Sequence, residues 1–298
     1  MSVETAGEVR RFEGHPWEVW CVTFSPDGTR ILSSGADGSV RLWDIESGKE
    51  LHRFATAQWG AWSCAFSPDG KRAVSGGDAA VRVLDLESGE MIRRLAGHSG
   101  WVNSVVYLPD GVHALSASED DTVRMWNTET GEEVRRFEGH TAGVNDVDIS
   151  GDGKQAVSGG KDNILRVWDV ESGQQIQDME GHTVRIWSVA FSRDGSQVLS
   201  GSQDGTVRLW NTVTGEEIRQ LGGHLDTIRG VALSPDGTRA LSGGEDALVQ
   251  LWDTATGKLI QPFGGHGGKI YSVAFSPDGR FALSGGGDGL IRLWQLPE

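Results

Sequence analysis

The 298-residue chain is short of several residue types that mark common protein classes. It has two cysteines, Cys21 and Cys64, set in apolar-patterned runs and without metal-ligand spacing. That excludes a disulfide framework or a cysteine metal site and leaves two buried free thiols as the expectation. No run approaches ~18 apolar residues and no apolar leader core opens the chain, so the cytoplasm is the expected compartment. Basic residues are few, 27 Lys and Arg against 42 Asp and Glu, for a formal charge of −15. Such a surface repels phosphate backbones, so neither nucleic acid nor an anionic membrane is an expected partner. The usual marks of an enzyme are missing too. There is no nucleophile–base pair at a known spacing, no phosphate-cradling glycine loop opening a helix, and no histidine cluster within one segment. No catalysis, metal or cofactor is therefore expected.

Glycine and tryptophan, by contrast, are plentiful, at 43 and 12 residues. Residues 181–210 read GHTVRIWSVAFSRDGSQVLSGSQDGTVRLW. Period-2 apolar alternation broken by Asp-Gly turns denotes short antiparallel strands joined by hairpins. The pattern recurs along the chain. Gly-His pairs end at His15, His98, His140, His182, His224 and His266, the last five spaced by 42 residues. Twenty-two positions beyond each lies Asp37, Asp120, Asp162, Asp204, Asp246 or Asp288. Six further on comes Trp43, Trp126, Trp168, Trp210, Trp252 or Trp294. One more unit, a residue short, fits the first gap, with Thr56-Ala57 in place of Gly-His. About seven units of four strands each predict an all-β propeller of about seven blades.

Residues 7–15 nearly copy residues 131–140, the outermost run between two units, while the chain stops at Trp294 to Glu298 with no such run after it. The first strand, about residues 7–12, is therefore expected to complete the last blade and close the ring without a free edge. Blades are placed at about 17–54, 59–95, 101–137, 143–179, 185–221, 227–263 and 269–296 plus 7–12, within a single domain of residues 1–298 and an expected monomer.

With Gly-His, the turn Asp and the closing Trp in place, the chain closely resembles the WD40-repeat family of β-propellers, of bacterial type or consensus-like in its regularity. The resemblance implies four-stranded blades around a central channel. It puts the Gly-His loops and Asp turns on one face, the top, and the Pro-Asp-Gly turns on the other. It also implies a Trp–Ser–His–Asp relay in each regular blade. A buried indole N–H needs an acceptor, a hydroxyl both accepts and donates, and a neutral imidazole does the same. In chain order the sets are Trp43, Ser33, His15 and Asp37; Trp126, Ser116, His98 and Asp120; Trp168, Ser158, His140 and Asp162. They continue as Trp210, Ser200, His182 and Asp204; Trp252, Ser242, His224 and Asp246; Trp294, Ser284, His266 and Asp288. One histidine per blade cannot converge on one ion, so these residues read as structural. Blade two keeps Ser75 and Asp78 but has Ala57 and Leu84 where His and Trp stand elsewhere; drift, or a blade reshaped for a partner, would produce this.

The resemblance further places one recurring position on the rim of the top mouth: Trp20, Trp62, Asn103, Asn145, Trp187, Arg229 and Tyr271. Trp17, Trp59, Trp101, Arg185 and Lys269 stand close by. Aromatics gather on blades one to three and cations on blades five to seven, a combination that binding hot spots favour. The expected function is a non-enzymatic scaffold that holds a protein or peptide, with an acidic segment suited to the cations. The alternatives are a structural or regulatory domain of a larger signalling protein, a designed consensus propeller with no ligand of its own, or a small-ligand or hydrolytic propeller using the channel.

Overall fold

In the computed structural model, which describes residues 7–297, 28 strands form seven four-stranded antiparallel sheets. Six sheets take their strands consecutively from the channel outward, as in blade five: Ile186–Phe191, Gln197–Ser202, Thr206–Asn211 and Glu217–Gly223. The seventh takes Ile270–Phe275, Phe281–Gly286 and Ile291–Gln295, with Gly7–Phe12 as its outermost strand. Phe12 pairs with Ile291 and Glu8 with Trp294. The ring is thus closed by the start of the chain, as the copied segment predicts, and the Arg292 guanidinium donates to the Glu8 carboxylate across the seam.

Local chemistry explains the hairpins. In blade five the Gly195 N–H donates to the Ser192 carbonyl, and Gly195 has φ +73°, a conformation a side chain would strain. The Asp194 carboxylate caps the same turn, taking the Ser192 hydroxyl at 2.6 Å and the Ser196 N–H at 3.0 Å. In the Pro-Asp-Gly turns Asp27, Asp69, Asp236 and Asp278 accept in the same way from the serine hydroxyl and from a backbone N–H of the turn.

The core lies between blades. Val157 and Val167 of blade four pack with Ile186, Val189, Phe191, Val198 and Trp210 of blade five in one buried cluster. The closing seam is built the same way: Val19, Val22, Ile31 and Trp43 of blade one meet Leu283, Ile291, Leu293 and Phe12. Alternation lets each sheet present one apolar face to each neighbour, which is why the blades bury their faces only as a ring.

Register carries one further feature. In six inner strands the pairing skips a residue: Val19 pairs with Gly35 and Cys21 with Ser34, leaving Trp20 as the extra residue of a β-bulge. Asn103, Asn145, Trp187, Arg229 and Tyr271 are skipped in the same way. Blade two has no such bulge, and its inner strand, Ser63–Phe66, is four residues long. Its missing residue falls between Ser75 and Asp78, which stand three apart where Ser33 and Asp37 stand four apart.

Candidate functional site

The polar relay forms in each of the six regular blades. Trp210 Nε1 donates to Ser200 Oγ at 2.8 Å, Ser200 Oγ lies 2.7 Å from His182 Nε2, and His182 Nδ1 lies 2.8 Å from Asp204. The serine is the hub in the other blades too. At 2.8 Å in every case, Ser33 accepts from Trp43, Ser116 from Trp126, Ser158 from Trp168, Ser242 from Trp252 and Ser284 from Trp294. Each of these hydroxyls also meets the Nε2 of its histidine: Ser33 meets His15 at 2.8 Å, while Ser116 meets His98, Ser158 meets His140, Ser242 meets His224 and Ser284 meets His266 at 2.7 Å. An indole N–H only donates, so the serine proton points to Nε2 and the imidazole proton sits on Nδ1, facing the carboxylate.

Depth withdraws the hubs of the relays from contact. Ser33, Ser116, Ser158, Ser200, Ser242 and Ser284 are all at 0% exposure, so no partner or substrate touches their hydroxyls. Burial lowers the pKa of His98, His224 and His266 despite the pull of their aspartates, which keeps these imidazoles neutral. Burial pushes the carboxyls of Asp37, Asp120, Asp162 and Asp204 upward, but the hydrogen bonds they accept outweigh it and hold them well below the carboxylate range. With both ring nitrogens engaged inside its own blade, none of these histidines is left for a nucleophile or an ion.

A fifth member completes the relay, one that the Gly-His, Asp and Trp spacing does not announce. Two positions before the tryptophan stands an arginine in five regular blades; blade two has Arg82 two positions before Leu84, and blade six has Gln250. Arg41 donates to Asp37 at 2.8 Å and to Glu50 at 2.8 Å, and Arg124 does the same to Asp120 and Glu133. The recurring Arg-X-Trp is its visible signal. The chain must cross over this arginine and the indole at the Gly-His pair: a Cβ on Gly181 would come within 2.8 Å of Arg208 and 2.9 Å of Trp210. The glycine that precedes the histidine thus has a steric cause.

Blade two shows what remains when the ends of the relay are lost. Ser75 is fully buried and its hydroxyl meets no partner, while Asp78 pairs with Arg82 at 2.6 Å. Ala57 lies against Gly77, where an added Cβ would come within 2.8 Å of the alanine methyl and 2.9 Å of the Gly60 carbonyl.

At the top mouth the bulges aim their extra residues over the channel, a use to which bulges are often put. Trp20 and Trp62 stack with centroids 4.1 Å apart, and Trp62 stacks on Trp101 at 5.9 Å. On the opposite side two guanidiniums approach the Trp187 ring, Arg185 at 5.4 Å and Arg229 at 3.9 Å from its centroid. Arg229 also approaches the Tyr271 ring at 6.0 Å. Glu18 joins the two groups by accepting from Tyr271 Oη at 3.0 Å and from Trp20 Nε1 at 3.2 Å. Burial and that carboxylate push the Tyr271 phenol up to about 12. The result is an aromatic and cationic belt running from blade three back through blade one to blade five. Trp17, Trp59 and Trp101 flank it at 63%, 70% and 51% exposure, and Leu225 stands fully exposed on the loop after His224.

Two sets of rim residues also have partners within the chain. Asn103 and Asn145 latch blades together, with Asn103 Nδ2 donating to the Val144 carbonyl at 2.9 Å and Asn145 Nδ2 to the Ile186 carbonyl at 2.6 Å. Their amides are spent on the ring. Arg229 and Lys269 both pair with Glu245, and Lys161 pairs with Glu119 at 2.6 Å. Much of the rim's positive charge is thus compensated locally. Glu119, Lys161 and Glu245 occupy the variable position just before the relay aspartate, a position whose facing toward the mouth follows from the hairpin.

Below the belt runs a channel of about 560 Å³ walled by the inner strands. Two carboxylates of blade four, Asp146 and Asp148, stand in its wall and accept the Val189 and Phe191 N–H groups of blade five at 2.8 Å each. Enclosure between strands pushes the Asp148 carboxyl up to about 7 and raises that of Asp146. No helix among the described residues is long and apolar enough to cross a membrane.

The WD40 family model, described as WD domain, G-beta repeat, matches residues 7–44, 48–85, 89–127, 131–169, 173–211, 215–253 and 257–295. Each matched unit pairs the outer strand of one blade with three strands of the next, the stagger that closes the ring. "WD repeat-containing protein 36" of Homo sapiens is 40% identical over 47 residues, 16% of this chain and 5% of that protein. "Protein groucho" of Drosophila melanogaster is 46% identical over 37 residues, 12% of this chain and 5% of that protein. With seven matched units spanning nearly its whole length and seven four-stranded blades, the chain belongs to the WD40-repeat family.

Proposed function

We propose that this propeller is a non-enzymatic scaffold that holds a protein or peptide partner on its top face, with the belt around the channel mouth as the contact surface. The observation that carries this reading is the continuous Trp101–Trp62–Trp20 stack beside the exposed Trp17 and Trp59. Exposed aromatics at this density are characteristic of interaction sites. The relays beneath keep the loops stiff, so little ordering entropy is lost on binding. Because Glu245 compensates Arg229 and Lys269, apolar contact carries the recognition and Arg185 orients an acidic group of the partner. Capture of binding proteins by the wild-type chain and by a Trp20→Ala, Trp62→Ala, Arg229→Ala variant tests this. Loss of a specific partner from the variant is expected, and equal recovery from both contradicts it.

A second reading is a regulatory WD40 domain whose partner is another part of a longer protein. What favours it is that each matched stretch is only 5% of its relative, so in those proteins the repeat belongs to a much longer chain. Binding in trans of a separately produced segment to the same rim is the expected outcome under that reading.

A further inference from the structure

Cys21 and Cys64 are the only cysteines in the chain, and the geometry of the ring sets them against each other. On the inner strands, the residue one past the rim position faces the next blade. Ser63 Oγ accepts the Val105 N–H at 3.2 Å, Ser188 Oγ that of Val231 at 3.2 Å, and Ser272 Oγ that of Val22 at 3.1 Å. The valine met in this way turns its own side chain back toward the preceding blade, because side chains alternate along a strand. Val189, for example, packs with Val157 and Val167.

Between blades one and two the first of these facing positions is Cys21 and the second is Cys64. Cys21 Sγ lies 3.5 Å from the Cys64 carbonyl oxygen. Cys64 packs with Leu32, Val40 and Leu42 of blade one, and Cys21 lies against the same cluster. The first position is serine at four of the other six interfaces, with Asp146 and Gly230 at the remaining two, and the second is valine at all six; at this one interface both are cysteine. It is the interface of the blade that lacks its relay.

We propose that Cys21 and Cys64 form a modification site, at which a peroxide joins them in a reversible disulfide that clamps blade two to blade one. Cys21 is half-buried on the channel wall, where a small oxidant reaches it, and Cys64 is buried behind it. The Cys64 thiol, by hydrogen bonding, draws the Cys21 thiol below its usual range, and that same contact together with burial pushes Cys64 up. This assigns attack to Cys21 and resolution to Cys64.

The Cys21 thiolate attacks one peroxide oxygen, the O–O bond breaks, and the departing hydroxide takes a proton and leaves as water. Cys21 is then a sulfenic acid. Cys64 attacks the Cys21 sulfur as its proton passes to the sulfenic hydroxyl; the S–O bond breaks, the S–S bond forms and water leaves. The two thiols are oxidised to one disulfide and the peroxide is reduced to two waters, so the step balances.

The test exposes the native full chain to hydrogen peroxide and maps its peptides by mass spectrometry without reduction. The expected product is an intramolecular Cys21–Cys64 cross-link that dithiothreitol reverses, with a higher melting temperature for the oxidised protein. Cys64→Ser should leave a sulfenic acid on Cys21 that dimedone traps, and Cys21→Ser should leave Cys64 unmodified. Sulfinic or sulfonic products on either cysteine without the cross-link, a disulfide between two chains, or no modification at all would overturn the proposal.

Discussion

The indoles of Trp20 and Trp62 lie face to face, with centroids 4.1 Å apart and planes 14° from parallel, although they stand on neighbouring blades. Trp20 reaches this position as the extra residue of a bulge, and Trp62 reaches it from a blade that has none. Offset aromatic pairs contribute ~0.5–1.5 kcal/mol beyond the area they bury. The pair therefore bridges blades one and two at the mouth of the channel, beside the blade that lacks its relay.

The relay makes opposite forecasts for two serines. Ser200→Ala strands both the Trp210 N–H and His182 Nε2 in a buried site, and a cost of about 1–3 kcal/mol is expected. Ser75→Ala removes a buried hydroxyl that already lacks a partner, so a change near zero or a small gain is expected. Denaturant unfolding of the two variants reads this directly. Equal losses would show that the relay is not what holds the regular blades.

Closure by the first strand has its own test. Removal of residues 1–13 takes away the Phe12–Ile291 pairing and the Glu8–Arg292 ion pair and opens a sheet edge along Ile291–Gln295. A markedly lower melting temperature is expected in calorimetry, together with a tendency to associate through the bared strand. An unchanged melt would contradict closure.

The pH dependence follows from groups that pull in opposite directions. His98, His224 and His266 titrate below their ordinary 6.5, so the unfolded chain binds protons first and stability falls as pH drops through that value. The relay aspartates, depressed below 3.8, add a second loss under more acid conditions. Asp148 is raised from the ordinary 3.8 to about 7, so its contribution is intact only below about pH 4, declines as the pH rises and is gone above neutrality. Over that range it opposes the histidines and shallows the acid loss. Asp148→Asn should therefore steepen the fall in melting temperature between neutral pH and about pH 5. A variant with the wild-type slope over that range would remove Asp148 from this account.

Fold and relay were legible in the sequence because the hydrogen-bond needs of a buried tryptophan recur at fixed spacing: His182, Ser200, Asp204 and Trp210 announce each other. Arg208 was equally visible as a recurring residue, yet its pairing with Glu217 at 2.9 Å spans two strands and emerges only from register. The rim divides in the same way. Trp20, Trp62, Trp187 and Arg229 were marked by their shared position, whereas Glu245 pairs with Arg229 on the inner strand of its own blade and with Lys269 in the loop leading into the next, and so compensates their charge. Asn103 looked like its neighbours but is committed to the Val144 carbonyl, an inter-blade distance that no repeat spacing encodes. The facing of Cys21 and Cys64 is also a property of the closed ring, in which alternate sides of one strand meet different blades.

The central claim is that the rim binds and the relay only supports it. The most direct measurement is the dissociation constant of the captured partner for wild type and for Trp62→Ala, taken together with each protein's melting temperature. The account predicts an affinity loss of roughly tenfold or more, the scale of truncating an aromatic hot spot, at a melting temperature within a few degrees of wild type. An unchanged dissociation constant in a folded Trp62→Ala protein would contradict it.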